Sequence, residues 1–225
     1  MATATQVAEF RRANQDLAIL AQSQLQDFLS SFNLSGDPAR VRNALLAFFP
    51  ELVTEYGDIS ALLAADFYDM LRDVPPSAAS FQAAYARPVD PAKAEGSVRW
   101  AVGALFAEDA PVFTSQILGA TQRLVTQRGR DTIFDNAGRD PVRTSVARIP
   151  SGTDTCTFCI MLASRGAVYT DLVSAGEMND FHDLCDCVPT VIRSKRDYPE
   201  GHDVAKFTDL YTSGLGTGRY ATAEG

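Results

Sequence analysis

All four cysteines of the chain, together with one of its two histidines, fall between positions 156 and 187, as Cys156-Thr-Phe-Cys159 and His182-Asp-Leu-Cys185-Asp-Cys187. Thiolates at i and i+3 can close on one ion from a tight turn, and a second group further along the chain can supply the other half of a tetrahedron. Five donors compete for four places. Cys156, Cys159, His182 and Cys185 are the first choice, with Cys187 able to replace either of the last two. The expected cofactor is zinc, with disulfides as the alternative and buried apolar thiols as the plain structural reading. A shared ion requires the sulfurs of Cys156, Cys159 and Cys185 and one nitrogen of His182 to lie within ~4 Å of one another.

Two catalytic arrangements compete with the metal. Cys159 with His182 could form a thiol protease pair, and Ser151 or Ser164 with His182 and Asp180 could form a hydrolase triad. The chain has no G-x-S-x-G elbow, and a thiolate held by a metal is a poor nucleophile. The second histidine, His202, sits beside Glu200 and Asp203 and reads as part of a solvated turn. Gly214-Leu215-Gly216-Thr217-Gly218 lacks a preceding buried strand and a following lysine, which removes the basis for a phosphate loop.

The elements that must position the cluster are mostly helical. Phe10, Ala13, Leu17, Leu20, Phe28 and Phe32 form a stripe at helical spacing that predicts a long first helix ending by Gly36. Asp37-Pro38 supplies a cap and a preset φ for the next, which carries Val41, Leu45, Phe48, Leu52 and Tyr56, with a break at Pro50 and a stop at Gly57-Asp58. Ile59 to Val74 then reads as a separate helix ended by Pro75-Pro76. A short helix over 78–86, a connector over 87–91, a helix through Val98 and Phe106, and one from Phe113 to near Gly129 complete a bundle. Beyond Asn136 the pattern changes to short extended stretches at 145–149, 167–169 and 187–192.

The resulting expectation is a mainly α chain. A helical domain spans 1–136, a small α+β unit stapled by the Cys/His cluster spans 137–193, and an extended tail spans 194–225. At 46% hydrophobic and 21% charged residues, disorder is excluded as the main state. Up to Ser145 there are 13 basic against 17 acidic residues, and beyond it 7 against 11, so each half carries −4 of the total −8. A simple phosphate-neutralising DNA binder is thereby disfavoured. No apolar run approaches the ~18 residues of a membrane span, and residues 1–15 show neither a basic leader nor an apolar stretch. A reducing cytosol is expected, where C-x-x-C reads first as metal-binding or redox-active.

The run Arg148-Ile-Pro-Ser-Gly-Thr-Asp-Thr-Cys156-Thr-Phe-Cys159-Ile-Met-Leu-Ala-Ser-Arg-Gly-Ala-Val-Tyr169, followed by Asn179-Asp-Phe-His182-Asp-Leu-Cys185-Asp-Cys187-Val-Pro189, resembles the C-terminal domain of phage minor head proteins of the Mu F type. It is closest to the version found in tailed phages of actinobacteria. Glu55-Tyr-Gly-Asp58, Ala64-Ala-Asp-Phe-Tyr-Asp69, Val98-Arg-Trp100-Ala-Val-Gly103, Gln122-Arg-Leu-Val125 and Gly129-Arg-Asp-Thr-Ile133 extend the resemblance over positions 45–189. It implies a head-morphogenesis protein made in the bacterial host cytoplasm, present in few copies and held in the virion head interior or at the portal vertex. The portal is the implied partner, with scaffold or major capsid protein as further candidates, and neither sequence-specific nucleic-acid binding nor a membrane is implied. Cys156, Cys159, His182, Cys185 and Cys187 carry over as the metal-binding or cross-linking knot. Members of this branch are commonly labelled capsid maturation proteases, which is the alternative function.

Overall fold

The computed structural model describes residues 2–152, 154–175, 181–183, 185, 187–213 and 219–221, with backbone alone at 154 and 219–221. Four long helices come first: α1 (Ala4–Leu29), α2 (Pro38–Leu71), α3 (Pro91–Phe106) and α4 (Ala110–Arg139). Their starts are written in the sequence. Thr3 and Gln6 exchange side-chain and backbone bonds in a capping box, and Asp37, Asp90 and Asp109 accept from the backbone N–H of Ala39, Ala92 and Val112 at 2.9, 2.9 and 3.0 Å. Leu25, Leu45, Phe49, Leu52, Val98, Val102, Phe113 and Ile117 fill the core between the four.

Four local expectations fail, each for a tertiary reason. The first helix stops at Leu29, and Phe32 and Leu34 pack against the core from the following turn. Neither Pro50 nor Gly57-Asp58 interrupts α2. Gly57 is buried against Val125 and Arg128 of α4, and Asp58 pairs with Arg128, so packing outweighs the local breakers. Likewise α4 runs ten residues beyond Gly129, because this glycine is where α2 and α4 touch: a Cβ there would stand 2.7 Å from the Ser60 carbonyl. Residues 78–86 form an extended strap, not a helix. Its backbone is claimed by side chains, with Ala84 N–H donating to Asn136 Oδ1 (2.9 Å), Asn136 Nδ2 donating to Ala84 O (2.7 Å), and Ala86 N–H donating to Thr132 Oγ1 (3.1 Å).

Among the described residues no strand precedes Ser145. Strand β1 (Ser145–Pro150) then pairs antiparallel with β3 (Cys187–Ile192), in a register running from Ser145↔Ile192 to Pro150↔Cys187, and Tyr169 bridges to Val146. The extended stretches expected at 145–149 and 187–192 are therefore found as paired strands, while 167–169 contributes only the bridge at Tyr169. Between them lie β2 (Asp154–Cys156) and the helices α5 (Thr157–Ser164) and α6 (Leu172–Ala175). Val146, Ile149, Leu162, Val188 and Val191 share one core with Ala64, Phe67, Tyr68, Ile133 and Phe134 of the bundle.

The segment after Ser194 is not simply extended. Helix α7 (Val204–Thr212), capped by Asp203, packs on α5, and β4 (Arg219–Ala221) pairs antiparallel with β2. His202 is not in a solvated turn. It stacks on Tyr198 at 5.2 Å and meets Phe207 at 5.0 Å, and burial pushes its pKa down to about 4.

Candidate metal centre

Strand β2 delivers Cys156 to the N-terminus of α5, where its Sγ accepts from Cys159 N–H at 3.3 Å. The C-x-x-C pair thus occupies a strand-to-helix turn whose backbone amides favour negative sulfur. The second half arrives on the approach to β3: Cys185 N–H donates to His182 O at 3.3 Å, and Cys187 opens the strand opposite Pro150. The loop is pinned to the bundle by Asp183, which takes Arg123 Nε at 2.8 Å. Asp183 also lies so close to α4 that a Cβ on Gly119 would stand 2.8 Å from its carboxylate.

The five expected donors converge on one place, arranged as two triads and not as a single tetrahedral foursome. Cys156, Cys159 and His182 have ligand atoms within 4.8 Å of one another, as do Cys159, Cys185 and Cys187, so Cys159 belongs to both. Cys156 Sγ is 2.7 Å from His182 Nε2, and Cys159 Sγ is 3.3 Å from Cys185 Sγ. All four cysteines are free thiols, since a disulfide requires about 2.05 Å between sulfurs. His182 Nδ1 lies 2.8 Å from the Asp183 carbonyl, which can only accept. Nδ1 therefore carries the proton, and the Nε2 lone pair faces Cys156 and whatever the cluster holds.

Two arginines complete the site. Arg148, in the middle of β1, has no solvent exposure, and Arg130 of α4 is 8% exposed. Their guanidinium carbons lie 3.5 and 3.8 Å from the centre of the Phe181 ring. Two guanidiniums cannot share one face at those distances, so the ring is held between them. Arg148 Nη2 reaches Cys185 Sγ at 3.7 Å, and Arg130 Nη2 donates to Cys185 O at 3.4 Å. Burial lowers the pKa of Arg130 to about 10, against the opposing pull of the Cys185, Cys187 and Cys159 sulfurs. Cys185 is pushed far below the ordinary thiol range, first by hydrogen bonds from Cys159 and Cys187 and then by the two arginines. Cys159 is pushed up, first by its hydrogen bond with Cys185, and Cys187 is pushed up first by burial. Hydrogen bonds from the neighbouring thiols and the two guanidiniums thus favour negative charge on Cys185.

Cys156, not Cys159, stands against His182. Ser164 spends its hydroxyl proton on Met161 O at 2.7 Å. Asp180, like Asn179 and residues 214–218, lies outside the described residues. Sequence reasoning missed Arg130 and Phe181 as site residues and gave Arg148 no role. An arginine flanked by Ala147 and Ile149 in a strand buried on both faces was the available signal.

A model of the family described as VG15 protein matches residues 1–214. The chain is similar to the protein named "Gene 15 protein" of Mycobacterium phage L5, with 29% identity over 185 residues. The alignment covers 73% of this chain and 57% of that relative, so the chain spans little more than half the relative's length. No solved structure matches. No described helix is long and apolar enough to cross a membrane.

Proposed function

We propose, on the footing that this chain belongs to the VG15 protein family and is a phage protein, that it serves as a minor capsid protein of the head-morphogenesis class. In this reading it docks on the portal inside the head and aids assembly and DNA packaging or delivery, with zinc fastening its C-terminal part. The observation that carries the structural role is the convergence of five Cys/His donors where β2, α5 and the start of β3 meet, beside two buried arginines. Cys159, shared by the two triads, would hold the ion with three of Cys156, His182, Cys185 and Cys187. When bound, it supplies a cross-link to loops that have little core of their own. Charge supports one divalent ion: with four thiolates and the guanidiniums of Arg130 and Arg148, the site is neutral.

The surface suits docking on protein. Trp100 is 55% and Phe106 58% exposed on α3, and a net charge of −8 disfavours coating DNA. The decisive test has two arms. Purified chain is mixed with portal rings and sedimented, and separately incubated with scaffold and major capsid protein. Co-sedimentation with intact substrates is the expected result. Scaffold cleavage that disappears in Cys156→Ser while the fold persists would establish the maturation protease instead.

The metal is tested on its own. The chain should bind one zinc per molecule, Cys159→Ser should lose it, and Cys187→Ser should weaken it less than Cys156→Ser. Metal analysis with circular dichroism on each variant reads this directly. A wild-type chain that stays metal-free after reconstitution removes zinc from the reading.

A further inference from the structure

We infer that a small pocket behind the cysteine cluster, where α1, α4 and the start of β3 meet, is a binding site for an oxoanion: a carboxylate or a phosphate. Its volume is about 40 Å³, more than a single water needs. Arg11 and Arg130 line it together with Gln15 and Gln122, Phe10 and Pro189 form apolar walls, Cys185 and Cys187 border it on the side of the cluster, and among the described residues no carboxylate borders it. In a chain with 28 acidic residues this is a strongly biased lining.

The hydrogen bonding points the same way. Arg130 is 8% exposed and its Nη1 is buried without a hydrogen-bond partner, and Arg11 Nε is buried in the same condition. Buried donors on fixed cations are costly to leave unmade, more so than neutral ones. Arg11 Nη1 is already committed to Gln15 Oε1 at 2.9 Å, which orients the Gln15 amide so that its NH₂ is left to donate. Asn14 and Thr126 also border the pocket, but one Asn14 N–H goes to Phe10 O at 3.0 Å, its Oδ1 accepts from Ser60 Oγ, and the Thr126 hydroxyl donates to Gln122 O at 2.8 Å. The unmet groups of the two arginines are therefore donors. An oxoanion, with several lone pairs in a compact volume, is the ligand that satisfies them. The site does not depend on the zinc reading, although Arg130 belongs to both places.

Thermal melting of the full chain in chloride, phosphate and acetate at constant ionic strength tests this. Phosphate, acetate or both should raise Tm saturably relative to chloride. A response to acetate alone assigns the pocket to carboxylates, such as one offered by a partner protein, and a response to phosphate alone assigns it to free or esterified phosphate. Arg11→Gln should weaken the apparent affinity at least tenfold. Gln122→Glu gives an independent reading, because its own carboxylate should fill the pocket, raise Tm in chloride and abolish the response to added anion. Equal melting in all three salts, or the same saturable rise in wild type and both variants, overturns the proposal.

Discussion

Arg148 shows how much a single buried side chain can say about a site. A fully buried guanidinium is tolerated only beside negative charge, and the sulfurs of Cys187, Cys185 and Cys159 favour its charged form. Replacing it with Met keeps much of the stem volume and removes the cation, so the thiolates lose a counter-charge. The expected outcome for Arg148→Met is zinc binding weakened on the order of 10–100-fold, the range found when groups supporting metal ligands are removed. Competition against a chromogenic chelator measures it, and unchanged affinity would show that Arg148 only fills space. The cysteines and His182 were legible as a cluster because potential ligands announce themselves by type and short spacing. Arg130, Arg148 and Phe181 were not, since an arginine acquires this meaning only when the fold places it against sulfur from another segment.

At the scale of elements, the helical spacing of the long helices was legible, although Leu20 and Ile59 of the expected faces are exposed, and so were the extended stretches around Val146 and Val188, with a single bridge at Tyr169. Both depend on periodicity, which local sequence carries. The misjudged positions, Pro50, Gly57, Gly129 and the strap at 78–86, all depend on a neighbouring helix. Gly129 makes the point quantitatively. Alanine there is better for an isolated helix by up to about 1 kcal/mol, yet in this fold its Cβ would meet the Ser60 backbone. Overpacking of that kind costs about 1–3 kcal/mol, so Gly129→Ala should lower stability despite its higher helix propensity. Asn136→Ala should destabilise through a different contact, because it removes both bonds to Ala84 and leaves the strap's backbone groups unpaired. Urea denaturation should show both losses, and proteolysis within 78–86 should rise in Asn136→Ala alone.

The whole molecule is joined by more than its shared core. Asp140, just past the end of α4, has a side chain with no solvent exposure. It accepts from Arg72 Nε at 2.9 Å and Nη2 at 3.1 Å, from Tyr68 Oη at 3.1 Å, from Val142 N–H at 2.9 Å and from Arg193 Nη2 at 3.3 Å. One carboxylate thereby ties the end of α2 to the residue that follows β3. Burial works to raise its pKa, but the bonds from Arg72, Val142 and Tyr68 outweigh this and hold it below the usual carboxylate value. The sign of the pH dependence follows. A carboxylate whose folded pKa is depressed stabilises the fold fully above its unfolded pKa of about 3.9, and that contribution is lost as pH falls through the folded value. Asp140→Asn should therefore be less stable than wild type near neutrality, and the gap should narrow below about pH 4. Asp140→Ala strands two arginines that are largely buried and should cost about 3–5 kcal/mol. Denaturation series at pH 7 and pH 3 measure both effects. A constant gap between Asp140→Asn and wild type across that range would mean that the charge of Asp140 contributes nothing to holding the helical bundle against the sheet.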